Sequence, residues 1–266
     1  MTTHTLEVPG ASLYYEVRGT GPLVALVGAP MNATSFAPLA DLLAADHTVL
    51  TTDPRGINRS RATDPERDST PETRADDLSR LIHHLDAGPA AVMGSSGGAV
   101  TALALVQAHP EQVHTVIAHE PPLAELLDDR DDVRAQTADY VATYLAGDVV
   151  GAWTKFFDQA GIGIPADVVE QMFGGERDPQ DVADEHFWFV HELRGSAQWL
   201  PDVALLRDSP ARIVIGVGAD STGQICDRTS AALAALLGVE RTTFPGDHIG
   251  FVDHPGPFAV RLRDVL

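Results

Sequence analysis

Short runs of apolar or β-branched residues, each ending at glycine or at a polar turn, recur along the chain. Runs of this kind predict five strands, Leu23–Val27, Thr48–Thr52, Ala90–Met93, Thr115–Ala118 and Ile213–Val217. Because these strands do not alternate between apolar and polar positions, we expect both faces of their sheet to be covered, as in a parallel sheet. Two alternating segments around Pro9-Gly10-Ala11 predict a hairpin of Thr5–Val8 with Leu13–Val17.

Helical patterns lie between these runs. They cover the segments Phe36–Ala44, Thr73–Leu85, Gly98–Ala108, Arg228–Leu237 and Phe258–Leu266. Strands that alternate with helices of this length favour right-handed crossovers in a doubly wound sheet. The sequence therefore predicts an α/β fold with a mostly parallel sheet.

One long segment interrupts this alternation. From residue 123 to residue 206 the pattern predicts no buried strand, only helices separated by Gly161-Ile162-Gly163 and by Gly174-Gly175. Structureless loops longer than about 15 residues are rare, and strand-like runs resume at Ile213. We therefore predict a helical cap, residues 123–206, over one edge of a core formed by residues 1–122 and 207–266.

Length and charge limit the possible partners. The 266 residues are enough for one sizeable core, and 18 basic against 38 acidic residues give a formal net charge of −20. A chain this acidic, with Lys155 as its single lysine, is not expected to bind nucleic acid or an anionic membrane. The single cysteine, Cys226, cannot form an internal disulfide and fits a reducing compartment. Without a signal peptide pattern or a long apolar stretch, we expect a cytoplasmic protein.

The strongest chemical signal is the segment Gly94-Ser95-Ser96-Gly97-Gly98, between an apolar strand and a helix rich in small residues. A Gly-x-Ser-x-Gly motif in this context predicts a nucleophile elbow, a sharp turn that needs almost no side chain two positions before and after the serine. Gly94 and Gly98 meet this requirement around Ser96, whereas Ser95 has Met93 two positions before it. The alternative is a glycine-rich crossover without chemistry.

A serine hydroxyl has too high a pKa to attack a carbonyl group at neutral pH without a general base. Among the 11 histidines, His248 lies in a glycine-flanked loop after the last strand-like segment. The other histidines fit surface, helical or cap positions. The sequence therefore favours His248 as the base.

The base needs a carboxylate that fixes its tautomer and stabilises the imidazolium ion. Asp220 lies on the loop that leaves the penultimate strand, which gives the chain order Ser, Asp, His. Glu120, at the end of the preceding strand, is the rival. We favour Asp220 and keep Glu120 as the alternative.

An oxyanion hole requires two backbone N–H groups directed at the developing negative charge. Gly97 directly follows the predicted nucleophile, and Ala29 lies on the loop after the first buried strand with a free N–H group. The same loop and the cap provide the residues predicted to contact substrate, Pro30, Met31, Phe187 and Trp188. For the two cap aromatics, packing inside the cap is the favoured interpretation, and lining of the acyl pocket is the alternative.

Five segments outside the cap carry a resemblance to a known family: Val27-Gly28-Ala29-Pro30, Asp53-Pro54-Arg55-Gly56-Ile57-Asn58-Arg59-Ser60, Gly94-Ser95-Ser96-Gly97-Gly98, Gly218-Ala219-Asp220 and Gly246-Asp247-His248. They resemble the α/β-hydrolase fold family, in its branch of small capped esterases and cofactor-free haloperoxidases. The resemblance implies an eight-stranded sheet with the cap inserted between the sixth and seventh strands. The family usually has His-Gly where this chain has Val27-Gly28, and its acid loop usually spaces Gly and Asp differently.

We therefore predict a serine hydrolase that transfers the acyl group of a small, mainly apolar ester or lactone to water, without a cofactor or metal. One alternative keeps the same triad in a C–C bond hydrolase, or in a perhydrolase of the haloperoxidase type. Another is a non-catalytic ligand-binding protein of the same fold. The expected partner is a small molecule, and the sequence does not predict an oligomeric state.

Overall fold

The computed structural model describes residues 1–266 and contains one nine-stranded sheet. The strands are β1 (Thr2–Val8), β2 (Ala11–Arg18), β3 (Leu23–Val27), β4 (Thr48–Thr52), β5 (Arg61–Ala62), β6 (Ala90–Ser95), β7 (Val113–His119), β8 (Arg212–Gly218) and β9 (Arg241–Phe244). Eight of them follow the order β1-β2-β4-β3-β6-β7-β8-β9, and β5 pairs with β2 outside this path. Because β5 has only two residues, the hydrophobic pattern gave no sign of it.

The sheet is mostly parallel, as predicted. The β1–β2 and β2–β4 pairs are antiparallel, and every pair from β4 through β3, β6, β7 and β8 to β9 is parallel. Parallel neighbours bring their carboxyl ends to one edge of the sheet. The loops after β3, β6, β7, β8 and β9 therefore leave the sheet at the same edge, where open α/β sheets bind ligands.

Twelve helices cover and extend the sheet: α1 (Ala37–Leu43), α2 (Pro71–Leu85), α3 (Gly97–Ala108), α4 (Arg130–Leu145), α5 (Val149–Ala160), α6 (Ala166–Phe173), α7 (Pro179–Phe187), α8 (Leu193–Ala197), α9 (Val203–Asp208), α10 (Ile225–Leu237), α11 (Gly250–Asp253) and α12 (Pro255–Arg263). A π-helical turn, Trp188–Glu192, joins α7 to α8. No helix combines the length and the apolar character needed to cross a bilayer.

The core has two layers, one on each face of the sheet. A cluster of 30 buried residues includes apolar side chains of α2, α3 and α10, and a cluster of 17 includes those of α1 and α12. All five residues of β3 are buried, in agreement with the unbroken apolar run that predicted the strand. Burial on both faces explains why the inner strands show no alternation.

Helices α4–α9 lie between β7 and β8, in the segment for which the sequence predicted only helices. We call residues 123–206 the helical insertion. It has an aromatic cluster of its own, with Tyr140, Tyr144, Trp188 and Phe189 among its buried members. The insertion also bonds to the loop after β4, where the Asn58 N–H donates to Asp184 Oδ1 at 2.8 Å.

Arg74 of α2 connects the core to the helical insertion. Its side chain is buried, and its guanidinium group donates to Thr101 Oγ1 of α3 at 2.9 Å and to Ser196 Oγ of α8 at 2.8 Å. A third bond reaches the Ser69 carbonyl oxygen. A buried cation held by three elements leaves several polar groups without partners when it is removed.

We expect Arg74→Leu to lower the free energy of unfolding by about 3 kcal/mol, because it leaves buried acceptors unpaired. The control is Arg80→Leu on the same helix, which removes an exposed i,i+4 pair with Asp76 and should cost about 0.5 kcal/mol or less. Urea unfolding followed by circular dichroism measures both. Equal losses in the two variants would contradict the assignment of Arg74 as the connection.

Candidate active site

The strand β6 turns sharply into α3 at Ser96. The backbone of Ser96 has φ 56° and ψ −127°, a conformation that L-residues rarely adopt. A Cβ at Gly94 would overlap the Gly98 carbonyl group, and a Cβ at Gly98 would overlap that of Val27. The two glycines are therefore required by direct backbone contact, and the half-buried Ser96 side chain lies at the carboxyl edge of the sheet.

The end of β7 holds this turn in place. The Ser96 N–H donates to the His119 carbonyl oxygen at 3.0 Å, and Ser95 Oγ bonds with His119 Nδ1 at 3.0 Å. His119 is fully buried against the rings of Phe244, Phe251 and Phe258. Burial lowers the pKa of His119 to about 4, so the imidazole is neutral at pH 7.

Glu120 follows His119 directly and binds His248. The Glu120 backbone is left-handed, with φ 52°, and its carboxylate is completely buried. Oε1 accepts the Gly218 N–H at 2.7 Å, and Oε2 lies 2.6 Å from His248 Nδ1. The carboxylate therefore joins the ends of β7 and β8 to the loop after β9, and it leaves Nε2 as the free nitrogen of His248.

Electrostatics favour the charged form of this pair. Burial by itself raises the pKa of Glu120, but the hydrogen bond and the charge of His248 outweigh burial and hold that pKa below its usual range. Burial by itself lowers the pKa of His248, but the Cys226 sulfur and the Glu120 carboxylate raise it above its usual value. The pair therefore favours the imidazolium form of His248, and the ring must release this proton before it can act as a general base.

The loop after β3 lies against the turn at Ser96. A Cβ at Gly97 would be 2.6 Å from the Ala29 carbonyl oxygen, so the two backbones are in contact. Gly97 is the first residue of α3, where an N–H has no partner within the helix, and the Ala29 N–H makes no hydrogen bond. The fully buried Asp53 holds this loop from behind by accepting the Ala33 N–H at 2.9 Å.

Comparisons with known proteins identify the family of this chain. A family model described as alpha/beta hydrolase fold matches residues 21–151. The uncharacterized hydrolase YraK of Bacillus subtilis (strain 168) is 33% identical, over 98% of this chain and 95% of the relative. The chain belongs to the alpha/beta hydrolase fold family.

Two further similarities extend over the whole hydrolase. A zearalenone hydrolase of Bionectria ochroleuca is 27% identical over 97% of this chain and 95% of its own. The solved structure of Est816, described as an N-acyl homoserine lactone degrading enzyme, superposes with a TM-score of 0.74 at 19% identity. That superposition covers 99% of this hydrolase and 100% of Est816, and at this identity it shows the shared fold.

The sequence preference for Asp220 as the partner of His248 is corrected by the structure. Asp220 is exposed on the turn after β8, and its side chain makes no hydrogen bond or ion pair. The position beside His248 Nδ1 is occupied by Glu120, the rival residue, which approaches from the neighbouring strand β7. Both acids follow adjacent strands, so their positions in the chain could not distinguish them.

The other predicted site residues divide into two groups. Gly97 follows Ser96, Ala29 contacts Gly97, and the half-buried Pro30 and Met31 continue the Ala29 loop. Phe187 is buried, and its ring fills the space beside Gly56 in the loop after β4. Trp188 stacks on Trp153 at 5.1 Å inside the insertion, which corresponds to the packing interpretation.

The structure contains no hydrogen bond between Ser96 Oγ and His248. Such bonds are often long in the absence of substrate and tighten in the complex. What connects the two residues is a series of contacts: Ser96 to His119, His119 to Glu120 along the chain, and Glu120 to His248.

Sequence reasoning missed two buried residues at this site. Cys226, in the first turn of α10, has its sulfur near both Glu120 and His248. His119 was not distinguished from the other histidines or from the strand that it ends. The signal for His119 was its position directly before an acidic residue at a strand end; Cys226 had no signal beyond being the single cysteine.

We expect the buried His119 to make the folded hydrolase acid-sensitive. Its pKa falls from 6.5 to about 4 on folding, so its contribution to stability is complete above pH 6.5 and is lost as the pH falls towards 4. His119→Gln should flatten the loss of stability between pH 7 and pH 4.5, measured by urea unfolding at each pH. His114→Gln, at an exposed position of β7, should keep the wild-type slope; an unchanged slope in His119→Gln would contradict the prediction.

Proposed function

We propose that this hydrolase is a serine esterase or lactonase, with Ser96 as nucleophile, His248 as general base and Glu120 as the acid that orients it. The observation that carries the proposal is the 2.6 Å contact of His248 Nδ1 with the buried Glu120 Oε2, beside the strand that leads into Ser96. A buried carboxylate bonded to one imidazole nitrogen directs the other nitrogen to act on a hydroxyl group.

The proposed reaction begins from the neutral form of His248, when Ser96 Oγ attacks the carbonyl carbon of the ester. His248 Nε2 accepts the hydroxyl proton, and the negative charge that forms on the carbonyl oxygen accepts hydrogen bonds from the Ala29 and Gly97 N–H groups. The imidazolium then gives its proton to the alcohol oxygen as the bond to that oxygen breaks. An acyl group remains on Ser96.

Water completes the cycle. His248 accepts a proton from the water that attacks the acyl carbon, and it returns this proton to Ser96 Oγ as the acid product leaves. In both halves the imidazole becomes positively charged beside Glu120. Because the carboxylate is buried and already negative, it stabilises this charge without solvent reorganisation.

The overall charge and the relatives support the substrate class. The net charge of −20 disfavours anionic substrates. The lactone named for Est816, a cyclic ester, and the zearalenone hydrolase relative support an uncharged ester or lactone.

Variants of the proposed triad test the mechanism. We expect Ser96→Ala to lower kcat for a p-nitrophenyl ester by about 10⁵-fold or more and to abolish labelling by a fluorophosphonate probe. Glu120→Gln should lower kcat by about 10³- to 10⁴-fold, because the neutral amide no longer balances the imidazolium charge.

Asp220→Asn is the matched control for Glu120→Gln, since it makes the same isosteric change at the exposed acid, and its kcat should stay within about twofold of wild type. A loss in Asp220→Asn that equals the loss in Glu120→Gln would overturn the assignment of the acid. Labelling of Ser96→Ala at the wild-type rate would remove Ser96 from the mechanism.

A matched panel of substrates tests the specificity. We expect kcat/KM for lactones and alkyl esters to rise by up to about fourfold per added methylene group until the pocket is filled, as about 0.8 kcal/mol of apolar burial implies. Substrates of the same length with a terminal carboxylate should react at least tenfold more slowly. Steady-state kinetics at low ionic strength measure both series, and equal or faster turnover of the carboxylated series would contradict an uncharged substrate.

A further inference from the structure

A thiol lies beside the proposed base and acid. Cys226 is only 8% exposed and occupies the first turn of α10. Its sulfur, a carboxylate oxygen of Glu120 and a ring nitrogen of His248 all lie within 4.8 Å of one another. The proposed reaction forms and breaks no bond at this thiol.

The three groups match the ligands that zinc prefers. Zinc binds thiolate sulfur at about 2.3 Å, and imidazole nitrogen and carboxylate oxygen at about 2.0–2.2 Å, in tetrahedral geometry. Ligand atoms at those bond lengths lie roughly 3.3–3.6 Å apart, so side-chain shifts of about 1 Å suffice for the separations found here. Magnesium and calcium take oxygen ligands and do not fit a site with sulfur and nitrogen.

Access and charge also favour a cation at this position. The His248 side chain is 20% exposed, while Glu120 is completely buried, so the imidazole is the part of the cluster that solvent reaches. The net charge of −20 raises the local concentration of cations around the protein.

We propose that Cys226, Glu120 and His248 form an inhibitory site for a divalent cation of the zinc class, with water as the fourth ligand. On binding, the thiol and the ligating nitrogen of His248 lose their protons to the solvent, and no electron is transferred. An imidazole bound to a dication is a much weaker base and is fixed in position. The metal therefore blocks proton transfer from Ser96; this inhibition, but not the binding, rests on the proposed function.

Calorimetric titration of the metal-free protein with ZnCl₂ tests the binding without any substrate. We expect one strong site in the wild type, at least about tenfold weaker binding in Cys226→Ser and Cys226→Ala, and no binding of MgCl₂. Proton release should fall in both variants. Co²⁺ should give a thiolate charge-transfer absorption in the wild type that both variants lack.

His191→Gln is the matched control for surface binding. His191 Nδ1 lies 3.1 Å from Asp68 Oδ1, in a histidine–carboxylate pair without a thiol, and its removal should leave zinc affinity unchanged. Equal zinc affinity in the wild type and in both folded Cys226 variants would overturn the proposal, as would loss of the strong site in His191→Gln.

Activity provides the second measurement. Each protein's ester hydrolysis is compared with its own metal-free rate, and the zinc concentration for half-inhibition should rise at least about tenfold in Cys226→Ser. The chelator EDTA should restore the wild-type rate. Zinc binding without inhibition would contradict the role of His248 and leave the site intact, whereas inhibition that is unchanged in Cys226→Ser would contradict the site.

Discussion

The buried carboxylate of Glu120 is the interaction on which the site depends. A carboxylate with no exposure is costly unless hydrogen bonds and an opposite charge compensate for it. The Gly218 N–H and His248 provide this compensation, and they come from β8 and from the loop after β9. Folding of the carboxyl edge and assembly of the candidate acid–base pair are therefore the same event, because neither loop can leave without exposing or stranding the charge.

The strand order explains how distant parts of the chain reach this edge. β6, β7, β8 and β9 are consecutive parallel neighbours, so the residues after them lie side by side although more than 150 positions separate Ser96 from His248. His119 and Glu120, consecutive in the chain, act on opposite sides of β7: His119 fixes the turn at Ser96, and Glu120 fixes His248. The neutral imidazole and the charged pair thus share one strand end, and the charge of His248 helps to keep His119 neutral.

Much of this arrangement could be predicted from the sequence. The remainder depends on tertiary packing, which local patterns do not encode. Gly94 and Gly98 identified the turn at Ser96 because backbone contact allows no side chain there. The choice between Asp220 and Glu120 depended on which of two adjacent strand ends points inward, and that direction is set by the left-handed backbone of Glu120, which no periodicity encodes. The nearness of Cys226 to His248 depends on how α10 packs after β8, a tertiary property without a sequence signal.

The use of Glu120 has a consequence for the loop after β8. Since the carboxylate comes from β7, Asp220 is free to face solvent, and the first turn of α10 supplies Cys226 to the cluster instead of a second acid. A second carboxylate beside Glu120 would repel it and raise the pKa of one of the two acids. A cysteine sulfur at that position is instead a strong ligand for zinc once it is deprotonated. Cys226 therefore adds a metal ligand beside the Glu120–His248 pair without adding a second carboxylate, and the proposed zinc site depends on that ligand.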